Sequence, residues 1–172
     1  MRGDYNGFTE EDQTRGGRVQ STAFGNGMLQ RVWECEACGA KGSEPGEIIA
    51  HLEDYTEPID GAIWLCYRCH TVLHDRFNNP NRWNEYRKQI REGMQYPLTK
   101  SRSEALSGHM NPPLFVLATK GESRSRTILD DIHDGLLLPP YTPEEQRSKM
   151  DEIHRLGIRY FKDRESKQES LF

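Results

Sequence analysis

Residues 50–74 read AHLEDYTEPIDGAIWLCYRCHTVLH and place three histidines and two cysteines within 25 positions. An earlier CEAC, residues 35–38, supplies a second cysteine pair at the same spacing. In Cys35-x-x-Cys38 and Cys66-x-x-Cys69, two intervening residues let both sulfurs of a tight knuckle turn toward one ion. Two such knuckles complete a tetrahedral zinc site. No cysteine is left over, and a reducing compartment disfavours reading the four as disulfides. The span between the pairs exceeds that of the commonest zinc ribbons, so further structure is folded into it.

GEIIAHLEDY, residues 46–55, reads as a short strand with His51 at or near its end. GAIWLC, residues 61–66, reads as a second, buried strand, and TEPID as the loop between them. HTVLHDRF has helical spacing and no breaker before NNPN. The order is strand, loop, strand, helix, with one cysteine pair ahead of it and the other at the strand-to-helix corner. His70 and His74 stand at i and i+4 on the helix, so both imidazoles project from one face and can grip one ion. A strand bearing His51 packs against that helix in any small unit of this order, which brings three imidazoles beside the zinc. The other partition, zinc on Cys35, Cys38, His70 and His74, leaves Cys66 and Cys69 redundant.

CxxC, then a histidine before EDY, then WLC-x-x-CH-x-x-x-H, resembles the HNH endonucleases of the ββα-metal class, above all their short phage and restriction-associated members. The resemblance covers about residues 33–95. It implies an α+β fold: a small zinc-stapled ββα-metal core with helical and loop-rich flanking extensions. It also implies metal-dependent hydrolysis of DNA phosphodiester bonds. His51 would be the general base that deprotonates water, and His70 and His74, with Asp54 or Glu53, would hold a catalytic divalent ion (Mg²⁺ or another). An unperturbed imidazole titrates near neutral pH and suits such a base. One departure stands out. Related sequences often carry a second histidine where this chain has Leu52, and alternation along a strand turns Leu52 inward. Two readings follow: His51 is the base, or His51 is a metal ligand and the base is lost. No asparagine of the name-giving kind lies between the strands. A zinc-stabilised nucleic-acid-binding module without catalysis is the competing function.

Charge is polarised around this segment although the chain carries net −4. From Cys35 to Ile63 there are seven acids against Lys41; from Trp64 to Arg102 there are eight bases against Asp75, Glu85 and Glu92. Arg68, Arg76, Arg82, Arg87, Lys88 and Arg91 are the expected phosphate contacts on duplex DNA, the alternative being a solvated helix with ordinary surface charge. A second helix follows, capped by Asn79 or Asn81, with Pro80 in its first turn and Gly93 as its stop. Trp83, Tyr86, Arg87 and Ile90 share one face, expected to pack on the zinc module.

The 172 residues have a mean hydropathy of −0.87 and 34% hydrophobic side chains. That is poor core material for the length and predicts loop-rich flanks around a small centre. The expected division is a flexible arm at 1–30, the zinc-bound nuclease domain at 31–96, and a C-terminal extension at 97–172. Gly16-Gly17 predicts that any helix in the arm is short. In the extension, LFVLAT is a candidate strand. TPEEQRSKMDEIHRLGIRYF is a helix with Thr142 as cap, Pro143 first and Glu145 closing a capping box; Met150, Ile153 and Leu156 mark its buried side. The DDIHDG stretch, residues 130–135, reads as a second metal site or as a solvated turn. The extension offers a surface for target recognition, for a homodimer, or for a phage or host protein. No apolar run is long enough to span a membrane and no charged-then-apolar leader is present, which predicts a cytoplasmic location.

Overall fold

The computed structural model describes residues 4–107 and 119–155, and they form a mixed α/β structure with two small antiparallel sheets. The described chain divides into two units. One comprises Val32–His51 and the stretch from Ile63 to Leu136; the other comprises the residues up to Arg31, Leu52–Ala62, and those from Leu137 on. One cut, after Arg31, falls beside the expected boundary at 30, and none falls near the expected boundary at 96. The loop after His51 belongs with the chain termini, and the segment up to Leu136 belongs with the cysteines.

In the cysteine-bearing unit, β1 (Ile48–His51) pairs antiparallel with β2 (Ile63–Cys66), Ile48 opposite Cys66 and His51 opposite Ile63. All four β2 residues are buried, which is why this strand reads as a continuous apolar run. The chain turns directly from Cys66 into α2 (Tyr67–His74). Helix α3 (Pro80–Arg91) follows, with Pro80 in its first turn. Its Trp83, Tyr86 and Ile90 are buried as the periodicity predicts. Gly93 ends the helix at φ +86°, where a Cβ would stand 2.5 Å from the Gly121 carbonyl oxygen. Only glycine fits that left-handed, crowded position. Strand β3 (Met94–Gln95) then pairs with β4 (Thr119–Lys120). Between them lies α4 (Arg102–Ser107), where a linker is expected.

Only the end of the DDIHDG stretch, Asp134 and Gly135, is a turn, and the stretch is not among the candidate metal groups of the described residues; its first four residues are helical. They belong to α5 (Ile128–His133), which docks on α3: the buried Asp130 carboxylate accepts from Arg87 at 2.8 Å and Arg91 at 2.6 Å. Trp83 Nε1 donates to His133 Nδ1 at 3.1 Å.

In the other unit, the expected flexible arm is instead a helix, α1 (Glu10–Gly25), capped by a reciprocal Thr9–Asp12 box. Phe8 ahead of it is wholly buried and meets the Tyr55 ring edge-on at 5.3 Å. Gly16 does not shorten the helix. A Cβ there would stand 2.8 Å from Tyr55 Cδ1, so the glycine admits the tyrosine. The Glu53 carboxylate, 2% exposed, accepts from the Tyr5 hydroxyl and the Asn6 amide. The last helix, α6 (143–155), opens with the expected Thr142–Glu145 box and buries Met150 and Ile153. Leu156 and residues 114–118 of the candidate strand lie outside the described residues.

Candidate metal centre

The first knuckle closes locally and then docks on β2. Cys35 N donates to Ala40 O at 2.9 Å, and Gly39 N to Cys35 O at 2.8 Å. Gly39 sits at φ +73°, which a side chain would strain. Glu36 then clasps Trp64: its amide donates to the Trp64 carbonyl at 2.8 Å, and its Oε1 accepts from the Trp64 amide at 2.7 Å. The second knuckle spans the β2–α2 corner, where Cys69 N donates to Cys66 Sγ at 3.4 Å as the helix cap. All four cysteines are buried, and their sulfurs lie within 4.8 Å of one another.

Four sulfurs each about 2.3 Å from one zinc would stand roughly 3.8 Å apart. Cys38 Sγ and Cys66 Sγ are 3.9 Å apart. The electrostatics point the same way. Burial opposes ionisation of the Cys35 thiol, yet hydrogen bonds from Cys38, Cys66 and Cys69 outweigh it and hold its pKa well below the ordinary thiol value. Cys66 and Cys69 are pushed well above that value, first by hydrogen bonding with Cys35 and Cys38 and then by burial. The cluster accepts one negative charge readily and resists more. A dication relieves that resistance. The donor set fits a metal such as zinc.

Tyr86 on α3 completes the surroundings. Its hydroxyl lies 3.2 Å from Cys69 Sγ. Burial, then the negative charge on Cys69, raises its pKa well above the usual value, so it stays a protonated donor. The helical pattern places Tyr86 on the buried face, but nothing in its spacing singles out a partner for its oxygen.

A second group stands on the same elements. His51, 3% exposed, ends β1; His70 and His74, partly exposed, line α2. Their ring nitrogens also lie within 4.8 Å of one another, and His70 Nε2 is 3.1 Å from His74 Nε2. Two nitrogens bound tetrahedrally at about 2.05 Å to one ion would be roughly 3.3 Å apart. The pair therefore fits a shared ion as well as a hydrogen bond. The two candidate groups are the only ones of this kind among the described residues. Asp54 belongs to neither: its Oδ1 accepts from the Thr56 amide at 2.7 Å and hydroxyl at 2.6 Å. Leu52 is buried, but it follows the end of β1 and both neighbours, His51 and Glu53, are buried as well, so strand alternation does not account for it.

The basic residues are largely spent inside the fold. Arg68 is buried and donates to the carbonyls of Glu104 (2.6 Å) and Ala105 (3.2 Å) at α4. Arg82 pairs with Asp75 at 2.6 Å, and Arg87 and Arg91 pair with Asp130. Arg76 donates to Leu73 O at 3.2 Å and lies over the Phe77 ring. Lys88 is exposed on α3. Positive residues cluster along the sequence here partly because the unit carries buried acids to neutralise. Among the described residues no helix is long and apolar enough to cross a membrane. Comparison with protein-family models, curated proteins and solved structures returned no match.

Proposed function

We propose that the protein is a metal-dependent endonuclease of the HNH type that hydrolyses DNA phosphodiester bonds. One observation carries the reading: three imidazoles from a strand end and the following helix converge within 4.8 Å, beside a second group that fits structural zinc. A purely structural zinc module has no use for that convergence. His70 and His74 hold a divalent ion, and His51 takes the proton from the attacking water. A divalent ion in that cradle supplies a positive charge against the charge that develops on the phosphate. A nitrogen-only donor set favours borderline ions such as zinc or nickel, whereas magnesium and manganese prefer oxygen ligands.

The second reading, a degenerate member that binds nucleic acid without cutting it, draws support from the same site. His51 is almost fully buried, and Leu52 stands where relatives carry a further histidine. The deciding experiment incubates the full chain with supercoiled and linear DNA in Zn²⁺, Ni²⁺, Mn²⁺ or Mg²⁺. Wild type should nick or break the DNA, and added chelator should stop it. His51→Ala should lose ~10²–10⁴ in rate, the usual contribution of a general base, while keeping its zinc content and DNA affinity. Equal cutting by His51→Ala would remove His51 as base. No cutting by wild type in any metal would leave the binding module.

A further inference from the structure

Among the described residues of the cysteine-bearing unit, Phe77 is the most exposed aromatic side chain. It is 66% exposed, and it follows His74 by three residues. The turn that carries it is tightly held. Arg76 N donates to Leu73 O, and Asn78 N and Asn79 N both donate to Asp75 O, at 3.2, 3.0 and 2.9 Å. The Asp75 carboxylate is buried and paired with Arg82. The Arg76 guanidinium lies 4.4 Å from the Phe77 ring centroid. Around the ring, Asn78, Asn79 and Asn81 are exposed, and no acid occurs from Arg76 to Asn84. Asn79 holds the N-cap of α3, where an asparagine normally bonds the helix, yet its side chain makes no cap hydrogen bond.

We propose that the turn of residues 76–81 is a nucleic-acid contact in which Phe77 stacks on an unpaired base of the strand held at the histidine cluster. The identity of the partner rests on the nuclease reading; the exposure and rigidity of the turn do not. Three residues span at most about 11 Å of chain, roughly three base steps of one strand, so a base near the bound phosphate is within reach. An aromatic face stacks on any base and needs it unpaired, because duplex neighbours cover both of its faces. The Arg76 guanidinium, bonded to Leu73 O, backs one face of the ring, and the exposed asparagine amides offer donors and acceptors to base edges. A rigid turn also loses little order on binding. This contact lies on a different stretch from Arg87 and Arg91, which are bound to Asp130.

The test titrates the full chain, with no divalent ion added, against single-stranded, gapped and fully paired oligonucleotides carrying 2-aminopurine. Wild type should quench the probe in the first two. Phe77→Ala should weaken their binding at least about five-fold, the lower end of base–aromatic stacking, and change duplex binding less than about two-fold; Phe77→Trp should restore it. Unchanged single-strand affinity in a folded Phe77→Ala protein overturns the proposal. So does a wild-type dimer that Phe77→Ala dissociates, since the ring would then belong to a second copy. Cleavage assays separate this outcome from the parent reading. Phe77-dependent binding without cutting in any metal keeps the contact and sinks the nuclease, whereas cutting unaffected by Phe77→Ala does the reverse.

Discussion

Replacing Tyr86 with Phe removes one oxygen and tests whether the four-cysteine group holds zinc in the manner its geometry implies. The ring would stay in place, fully buried and stacked on Tyr96 at 5.9 Å between centroids. What disappears is the hydroxyl 3.2 Å from Cys69 Sγ. In the zinc-loaded protein that sulfur is a thiolate and can only accept, and a hydrogen bond to a charged group contributes about 1.5–3 kcal/mol. Without metal the partner is a neutral thiol, since Cys69 is pushed well above the ordinary value, and the bond falls to about 0.5–1.5 kcal/mol. The difference, about 1–2 kcal/mol, is lost from zinc binding, so affinity should fall roughly 5–30-fold. This overlaps the ~10–100-fold range typical of groups that support metal ligands. Equilibrium competition against a chromophoric chelator reads the affinity, and circular dichroism checks the fold. Tyr96→Phe is the control, because its hydroxyl donates to Gln89. A folded Tyr86→Phe protein that holds zinc as tightly as wild type would refute the reasoning.

Two further outcomes probe the acid–base pairs of the fold. Burial opposes ionisation of Asp130, but bonds from Thr127 and the charges of Arg91 and Arg87 outweigh it and hold its pKa below the ordinary 3.8. Its contribution is thus fully present above that value and lost as pH falls through the lower folded one; Asp130→Asn should cost about 2–4 kcal/mol in urea melts at neutral pH and flatten the stability loss below about pH 4. Arg68→Ala should cost about 2–4 kcal/mol, because it unpairs two carbonyls at α4, and yet leave the salt dependence of DNA binding unchanged. A flatter salt slope in Arg68→Ala would return Arg68 to the phosphate contacts.

The centre of the molecule was legible because its signals are local. Two CxxC knuckles, an i, i+4 histidine pair and an all-apolar GAIWLC depend on spacings of a few residues. The structure places β1, β2 and α3 where those spacings put them, while α2 runs Tyr67–His74, starting inside the second knuckle and ending before the DRF of the expected HTVLHDRF helix. What failed required knowing partners distant in sequence. Gly16-Gly17 looked like a helix breaker because Tyr55, 39 positions away by number, is what makes Gly16 useful. Arg87 and Arg91 read as phosphate ligands because nothing in the local sequence pairs them with Asp130, 43 and 39 positions on. The N-terminal segment looked like an arm because Phe8 carries no periodic signal of the contact with Tyr55.

The two metal-fitting groups share one helix, and that links fold to chemistry in a definite direction. Cys66 caps α2, Cys69 lies in its first turn, His70 is the next residue, and His74 is its last. An eight-residue helix is too short to persist in water by itself, so its first turn must be fastened from outside. The thiolate group supplies that fastening, through β2 on one side and Tyr86 of α3 on the other. His51 depends on the same anchor, because its strand is registered against β2, with Ile48 opposite Cys66. If a metal is held by the four sulfurs, its removal would loosen α2 at its Cys66 cap and β2 at the knuckle that Glu36 fastens to Trp64. The histidine group would then lose its geometry without any change to a histidine.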